Sequence, residues 1–381
     1  MRVLVTGGAG FIGSFVCERL LALGHAVRAL DNLDPQVHPV GERPQVPPGV
    51  EFLQGDLRDR AACGRALEGI DVVVHAAAAV GVAQSMYQVR HYIDVNVTGT
   101  ATLLDAMIAR RPVGKLVVLT SMTGYGEGVY RRPSDGRLLR ANLRTEQDID
   151  RFGWEHTSPE TQEQLVPCPT PESAELLCLN IYALSKRYQE ELSLALASTY
   201  GFPVTCLRLF NVFGPRQSLS NPYTGVIVIF LSRLLAGERP LVYEDGLQSR
   251  DFVSVHDVTE AIAAAVTSSA ADGQVVNIGS GLGRPIRDVA LALAKLLGRD
   301  DLPPVINQQY RRGDVRHCTA DISRARQLLG FEPRVRWEDG LAEVVEWAKS
   351  SPFVDRITQA QGELEAHGLV TEPRPSARSA P

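Results

Sequence analysis

Two clusters of residues in this sequence have the types and spacing to do chemistry. The first is Tyr182-Ala183-Leu184-Ser185-Lys186, which sets a phenol and an ammonium four residues apart. On a helix that spacing puts both side chains on one face. A free phenol has a pKa of about 10 and is a weak base at pH 7. A neighbouring ammonium favours the phenolate and brings the group towards a range where it can move protons. The second cluster is Thr6-Gly7-Gly8-Ala9-Gly10-Phe11-Ile12-Gly13, with glycines spaced three apart at 7, 10 and 13. A glycine loop opening a helix lets backbone approach a pyrophosphate, and the helix N-terminus aims N–H groups at it.

These clusters need a scaffold, and the flanking pattern supplies one. Arg2–Thr6 reads as a strand, Gly10–Leu23 as a helix, and Ala26–Leu30 as a second strand closed by Asp31. Glu51–Gln54 reads as a strand, Arg58–Glu68 as a helix and Asp71–His75 as a strand. A long helical stretch over 85–110 precedes the strand Lys115–Thr120, with Ser121 at its end. A helix over 180–199 and a strand Val204–Leu209 follow. Strands alternating with helices predict an α/β fold, a doubly wound parallel (Rossmann) sheet, followed by a smaller mixed α/β C-terminal lobe. The glycine loop then lies at the first strand–helix junction. Asp31 ends the next strand, placed to bind adenosine ribose hydroxyls and to disfavour a 2′-phosphate, which points to NAD over NADP. Asp56, after the third strand, is read either as an adenine contact or as a cap on the next helix, and His75 as a packed strand-end residue.

The boundaries expected are a dinucleotide-binding domain over 1–200, a mainly substrate-binding lobe over 201–350 and a polar tail over 351–381. Residues 127–178 interrupt the first domain. They hold six Arg between Arg131 and Arg151 and a Pro-rich end at Pro159, Pro167, Pro169 and Pro171, and read as a loop-rich insertion.

Composition removes other classes. The 381 residues carry a net charge of −5, without the basic footprint of a nucleic-acid binder. The longest nearly apolar run, Val72–Ala83, falls short of the roughly 20 residues a membrane span needs. No secretory signal opens the chain, and a cytoplasmic protein is expected. Six scattered cysteines form no CxxC pair, so neither a disulfide framework nor a metal is expected. The cations are 35 Arg and only four Lys (Lys115, Lys186, Lys295, Lys349), a skew that reads as genome bias and makes Lys186 conspicuous.

Taken in order, TGGAGFIG, Asp31, GDL at 55–57, HAAA at 75–78, NVTGT with Asn96, Ser121, Tyr182/Lys186, LRLFNVFGPR at 207–216, GLQSRDFVSVHDV at 246–258 and GDVRH at 313–317 resemble the extended short-chain dehydrogenase/reductases. The branch is the NAD-dependent nucleotide-sugar epimerases and dehydratases. The resemblance implies that Gly7, Gly10, Phe11, Ile12, Gly13, Asp31, Asn32, Asp56, Leu57, Ala76, Ala77, Asn96, Tyr182 and Lys186 hold NAD. It implies that Ser121, Thr123, Asn211, Arg250 and Arg316 meet a nucleotide-diphosphate sugar, with Ser121, Tyr182 and Lys186 catalytic. Family dehydratases carry an acid directly after the catalytic Ser or Thr; here Met122 and Thr123 stand there, which favours a 4-epimerase over elimination. A nucleotide-sugar ketoreductase and a non-catalytic NAD-sensing module remain as alternatives. DNLDPQVH at 31–38, AAVGVAQSMY at 78–87, NPYTGV at 221–226, EDGLQSRDF at 244–252 and GDVRHCTADISRARQLLG at 313–330 are most similar to dTDP-L-rhamnose 4-epimerase-like proteins. Those often hold a cysteine-rich zinc-ribbon insertion, whereas only Cys168 and Cys178 lie in this one. The family also implies a homodimer, through helices carrying Leu103–Ile108 and Leu192–Ala197; packing of those faces on the sheet is the competing reading.

Overall fold

The computed structural model describes residues 1–38, 44, 46–110, 114–223, 225–311, 313–351 and 357–370. The first half runs β1 (Arg2–Thr6), α1 (Phe11–Ala22), β2 (Ala26–Asp31), β3 (Glu51–Gln54), α2 (Arg60–Ala66) and β4 (Val72–His75). Next come α3 (Val82–Ser85), α4 (Val89–Tyr92), a π-helical turn Ile93–Thr98, α5 (Gly99–Ala109) and β5 (Lys115–Ser121). A 3-10 turn Met122–Tyr125 leads into β6 (Val129–Arg131), β7 (Leu138–Arg140), α6 (Glu146–Phe152) and β8 (Val166–Thr170). The chain continues through α7 (Ile181–Tyr200), β9 (Val204–Leu209), β10 (Asn211–Phe213), α8 (Val226–Leu235), β11 (Leu241–Val242), β12 (Ser249–Ser254) and α9 (Val255–Thr267). It closes with β13 (Gln274–Ile278), β14 (Gly283–Pro285), α10 (Ile286–Leu296), β15 (Val305–Ile306), β16 (His317–Ala320), α11 (Ser323–Leu329), α12 (Trp337–Ser350) and α13 (Ile357–Ala366).

Seven strands form one parallel sheet in the order β13-β9-β5-β4-β1-β2-β3. The order reverses between β1 and β4, and ligands bind at such a switch point, outside the carboxyl ends of the strands. The central strands are covered on both faces, which is why β1 (Arg-Val-Leu-Val-Thr) and β4 (Val-Val-Val-His) read as near-continuous apolar runs. Val3 and Val5 of β1 pack with α1 and α9, while Leu4 packs on the other face with Leu103, Leu104 and Met107 of α5. Leu192, Leu194 and Ala197 of α7, half-buried, pack against that second core. The faces weighed for a dimer contact therefore lie largely on the sheet.

The second sheet departs from expectation. It runs β10-β12-β16-β8-β6-β7, with β14 beside β12. Three of these strands, β6, β7 and β8, come from the insertion, which is thus ordered structure and not a loop. Thr319 and Ala320 of β16 register against Pro169 and Thr170 of β8, tying the insertion to the C-terminal lobe. The return of the strand Val204–Leu209 from the lobe to the first sheet is part of the expectation; β13 joins it there as well. Of the expected polar tail over 351–381, Ile357–Ala366 is helical; 352–356 and 371–381 lie outside the described residues. Among those described, no helix is long and apolar enough to cross a membrane.

Candidate active site

One cavity of about 460 Å3 connects the two clusters. Gly7, Gly10, Phe11, Ile12, Gly13, Asp31, Asn32, Asp56, Leu57, Ala76 and Ala77 line it, together with Ser121, Thr123, Tyr182, Lys186 and Asn211.

The glycine loop is tight where the sequence demands glycine. Gly7 has φ +70°, and a Cβ there would sit 2.8 Å from Ala77 Cα. A Cβ on Gly13 would come within 2.0 Å of the Gly7 carbonyl oxygen. Gly10 caps α1 with no side-chain hydrogen bond, and the first turn holds no acidic residue. The N–H groups of Phe11, Ile12 and Gly13 therefore lack a side-chain cap, as an anion site requires. Asp31, buried at the end of β2, accepts from Ala9 N at 3.1 Å and from Leu33 N at 2.9 Å. Asn32 Nδ2 donates to Asp56 at 3.1 Å. Asp56 does not cap α2, since Asp59 does so through Ala61 N. It binds Arg58 through both carboxylate oxygens, and the guanidinium holds it well below the usual carboxylate range. This set fits a dinucleotide with an unphosphorylated adenosine ribose.

At the other end, Ser121 closes β5 and Tyr182 and Lys186 face it from α7. Thr123 Oγ1 donates to Ser121 Oγ at 3.0 Å, and Thr123 N donates to the same atom at 3.3 Å. Burial pushes the Tyr182 phenol up to about 12, opposed by a hydrogen bond with Ser121. Burial pushes Lys186 the opposite way, to about 7. In this buried pocket the base-forming charge must therefore be actively supported. Tyr182 itself is held by Ser85 Oγ, which accepts from its backbone N at 3.0 Å. Met122, in the position an eliminating acid would occupy, is buried, and Thr123 is engaged with Ser121.

Three expected residues lie off the cavity wall. Asn96 is fully buried in the π-helical turn, where it pins Ala79 (2.7 and 3.1 Å) and Ser185 Oγ (2.9 Å). Arg250 is paired with Asp314 at 3.0 Å. Arg316 is completely buried and binds Glu155 of the insertion, Glu244 (2.7 Å) and Asp245 (2.7 Å). Burial opposes its charge, but Asp245 and Glu155 more than offset this and hold its pKa above the ordinary value. His75 is buried at the end of β4 between Thr6 and Thr100, as a packed residue would be.

Reading the sequence assigns no role to several other residues at the cavity. Gln36 and Gln84 exchange two amide hydrogen bonds at 3.1 Å, and Tyr92 donates to Gln84 at 3.0 Å. Tyr223 and Tyr87 share a 2.7 Å hydrogen bond, and both reach Glu363 of α13. Gln84 and Tyr223 fall inside the AAVGVAQSMY and NPYTGV stretches, the signal that could have singled them out. Among the described residues, no group of three or more His, Cys, Asp or Glu side chains could hold a metal ion.

Residues 3–148 and 157–279 match the NAD dependent epimerase/dehydratase family. The chain belongs to that family, and its cofactor is NAD. A dTDP-L-rhamnose 4-epimerase of Burkholderia thailandensis is 34% identical over 355 residues, spanning 91% of this chain and 94% of that one. Among solved structures, the UDP-glucose 4-epimerase of Thermotoga maritima with UDP-glucose matches with a TM-score of 0.75 at 30% identity, covering 92% of this chain and 99% of that one. A dTDP-glucose 4,6-dehydratase of Streptomyces venezuelae with NAD bound matches with a TM-score of 0.74 at 28% identity, covering 92% and 98%.

Proposed function

We propose that this protein is an isomerase, an NAD-dependent nucleotide-sugar 4-epimerase that inverts a hexose C4 hydroxyl through a transient 4-keto sugar. The observation that carries the reading is one cavity joining an Asp31-marked dinucleotide cradle to Ser121, Tyr182 and Lys186, with Met122 and Thr123 where elimination would need an acid. When bound, NAD supplies a hydride acceptor and donor at a single carbon. Ser121 orients the C4 hydroxyl, and Tyr182 removes its proton and later returns it. Lys186 holds the nicotinamide ribose and supplies the positive charge that the buried phenol needs. The sugar must turn within the cavity between the two transfers, so that hydride returns to the opposite face. A hydride taken from and returned to one carbon leaves no net redox change, so turnover needs no added oxidant or reductant.

The substrate is a dTDP- or other nucleotide-diphosphate (deoxy)hexose, with dTDP-L-rhamnose first in line from the 34% identical relative. Asn211 lies on the cavity wall where it can meet the nucleotide sugar. Arg250 and Arg316 reach the diphosphate only by leaving their carboxylates. We place the enzyme in the cytoplasm and, on the family resemblance alone, as a homodimer. Purified protein incubated with a panel of dTDP- and UDP-hexoses and followed by proton NMR tests the reading. Interconversion of C4 epimers without added cofactor supports it; a dehydrated 4-keto product in its place overturns it.

A further inference from the structure

Lys186 Nζ has three hydrogens. Two are engaged, one by the Leu119 carbonyl of β5 and one by Gln189 Oε1, each at 2.8 Å, which leaves the third for the cavity that Lys186 lines. Gln189 sits three residues after Lys186, on the same face of α7, and is almost completely buried. Its amide nitrogen meets Thr100 Oγ1 at 2.9 Å and His75 Nε2 at 3.1 Å. Thr100 in turn donates to the Asn96 carbonyl at 2.6 Å and contacts His75 Nε2 at 2.8 Å, while His75 Nδ1 meets Thr6 Oγ1 at 2.8 Å.

This arrangement fixes which end of the amide faces the lysine. An ammonium has only donors, so a flipped Gln189 would aim NH2 at NH3+ and leave a buried donor unsatisfied. The ionisable groups facing Lys186 are Tyr182 on the same helix and His75 from β4. Burial, and secondly Lys186, push His75 down to about 3, so it stays neutral. Glu190, the next residue along α7, is turned away to Arg208 (2.5 Å) and Thr120 (3.2 Å). Among the described residues, the carbonyl oxygens of Leu119 and Gln189 are therefore the hydrogen-bond acceptors of Lys186 in a desolvated pocket, and of these only Gln189 is a side chain.

We propose that Gln189 is a positioning residue: its side-chain carbonyl, locked by Thr100 and His75, keeps Lys186 charged and aimed at the cavity. Hydrogen bonding to the charged form favours it, so losing this acceptor favours neutral Lys186. The phenolate of Tyr182 is then harder to form. The kinetic part of this inference rests on the epimerase reading; the protonation part does not.

The four-lysine composition makes the test direct. In 13C,15N-lysine-labelled, NAD-bound protein, Lys186 is one of four lysine side-chain signals, assigned by its loss in Lys186→Met. Gln189→Met is expected to lower the Lys186 titration midpoint by about one pH unit, tenfold in the protonation equilibrium, and Gln189→Glu to raise it. With dTDP-L-rhamnose, the rising limb of the pH–rate profile should move to higher pH in Gln189→Met and to lower pH in Gln189→Glu, with KM little changed. A Lys186 midpoint that stays in place in either folded variant overturns the proposal. Shifted midpoints without turnover of dTDP-L-rhamnose count only against the substrate and epimerase reading.

Discussion

Thr123 Oγ1 donates to Ser121 Oγ at 3.0 Å, and the Thr123 backbone N–H donates to the same oxygen. With its oxygen accepting twice, Ser121 has its own proton free for Tyr182, or for a sugar oxygen between them. Where an eliminating enzyme needs a proton-shuttling acid, this chain has a threonine that orients the serine. That relationship separates hydride transfer from elimination here.

Tyr182→Phe removes only the hydroxyl. Turnover should fall by about 10^2 to 10^4, the usual contribution of a positioned acid–base group. NAD content of the purified variant, read by absorbance after denaturation, should match that of the parent. A variant retaining most activity would remove Tyr182 from the base role.

Asp31→Asn should cost NAD affinity on the order of tenfold, because a charged hydrogen-bond acceptor on the ribose is lost. NADP should be disfavoured less in the same variant, since the carboxylate that repels a 2′-phosphate is gone. Titration calorimetry with both dinucleotides checks both statements.

Arg316→Ala strips the guanidinium from Asp245 and leaves Glu244 to Arg144 and Glu155 to His317 in a largely buried cluster. Removing one partner of a buried pair typically costs about 3–5 kcal/mol. A large loss in denaturant unfolding, with KM for the sugar nucleotide unchanged in what remains folded, is expected if Arg316 fastens the insertion. Normal stability with a raised KM would instead put Arg316 on the diphosphate.

His75 gives a pH dependence with a definite sign. Its folded pKa, about 3, lies below the ordinary value of 6.5. Between those values the unfolded chain binds a proton that the folded protein refuses, so stability rises with pH across that window and is lost on acidification. The slope from this one group approaches about 1.4 kcal/mol per pH unit. Urea unfolding at several pH values should show it, and His75→Gln should remove it.

Much of the first sheet was legible because strands buried on both faces are apolar runs bounded by turn residues; Val204–Leu209 is found with the bounds expected. The insertion was opaque for the opposite reasons. β6 and β7 are three residues each, too short for a period to show, and β8 is Val-Pro-Cys-Pro-Thr, whose prolines argue against a strand. The long helical stretch over 85–110 was correct in type but hid the π-helical turn that carries Asn96. Arg316 illustrates the limit of a motif. Its place in GDVRH implies a phosphate, whereas its partner Glu155 lies 161 residues away, a contact no local pattern encodes. Gln189 is invisible in the sequence because its role depends on Thr100 and His75, 89 and 114 residues away.

In a 4-epimerase one carbon gives up a hydride and takes the same one back. dTDP-L-rhamnose carrying deuterium at C4, turned over in ordinary water, tests it most directly. The C4 epimer is expected to keep its deuterium at C4. Loss of the label to solvent, or its appearance at another carbon, would contradict it.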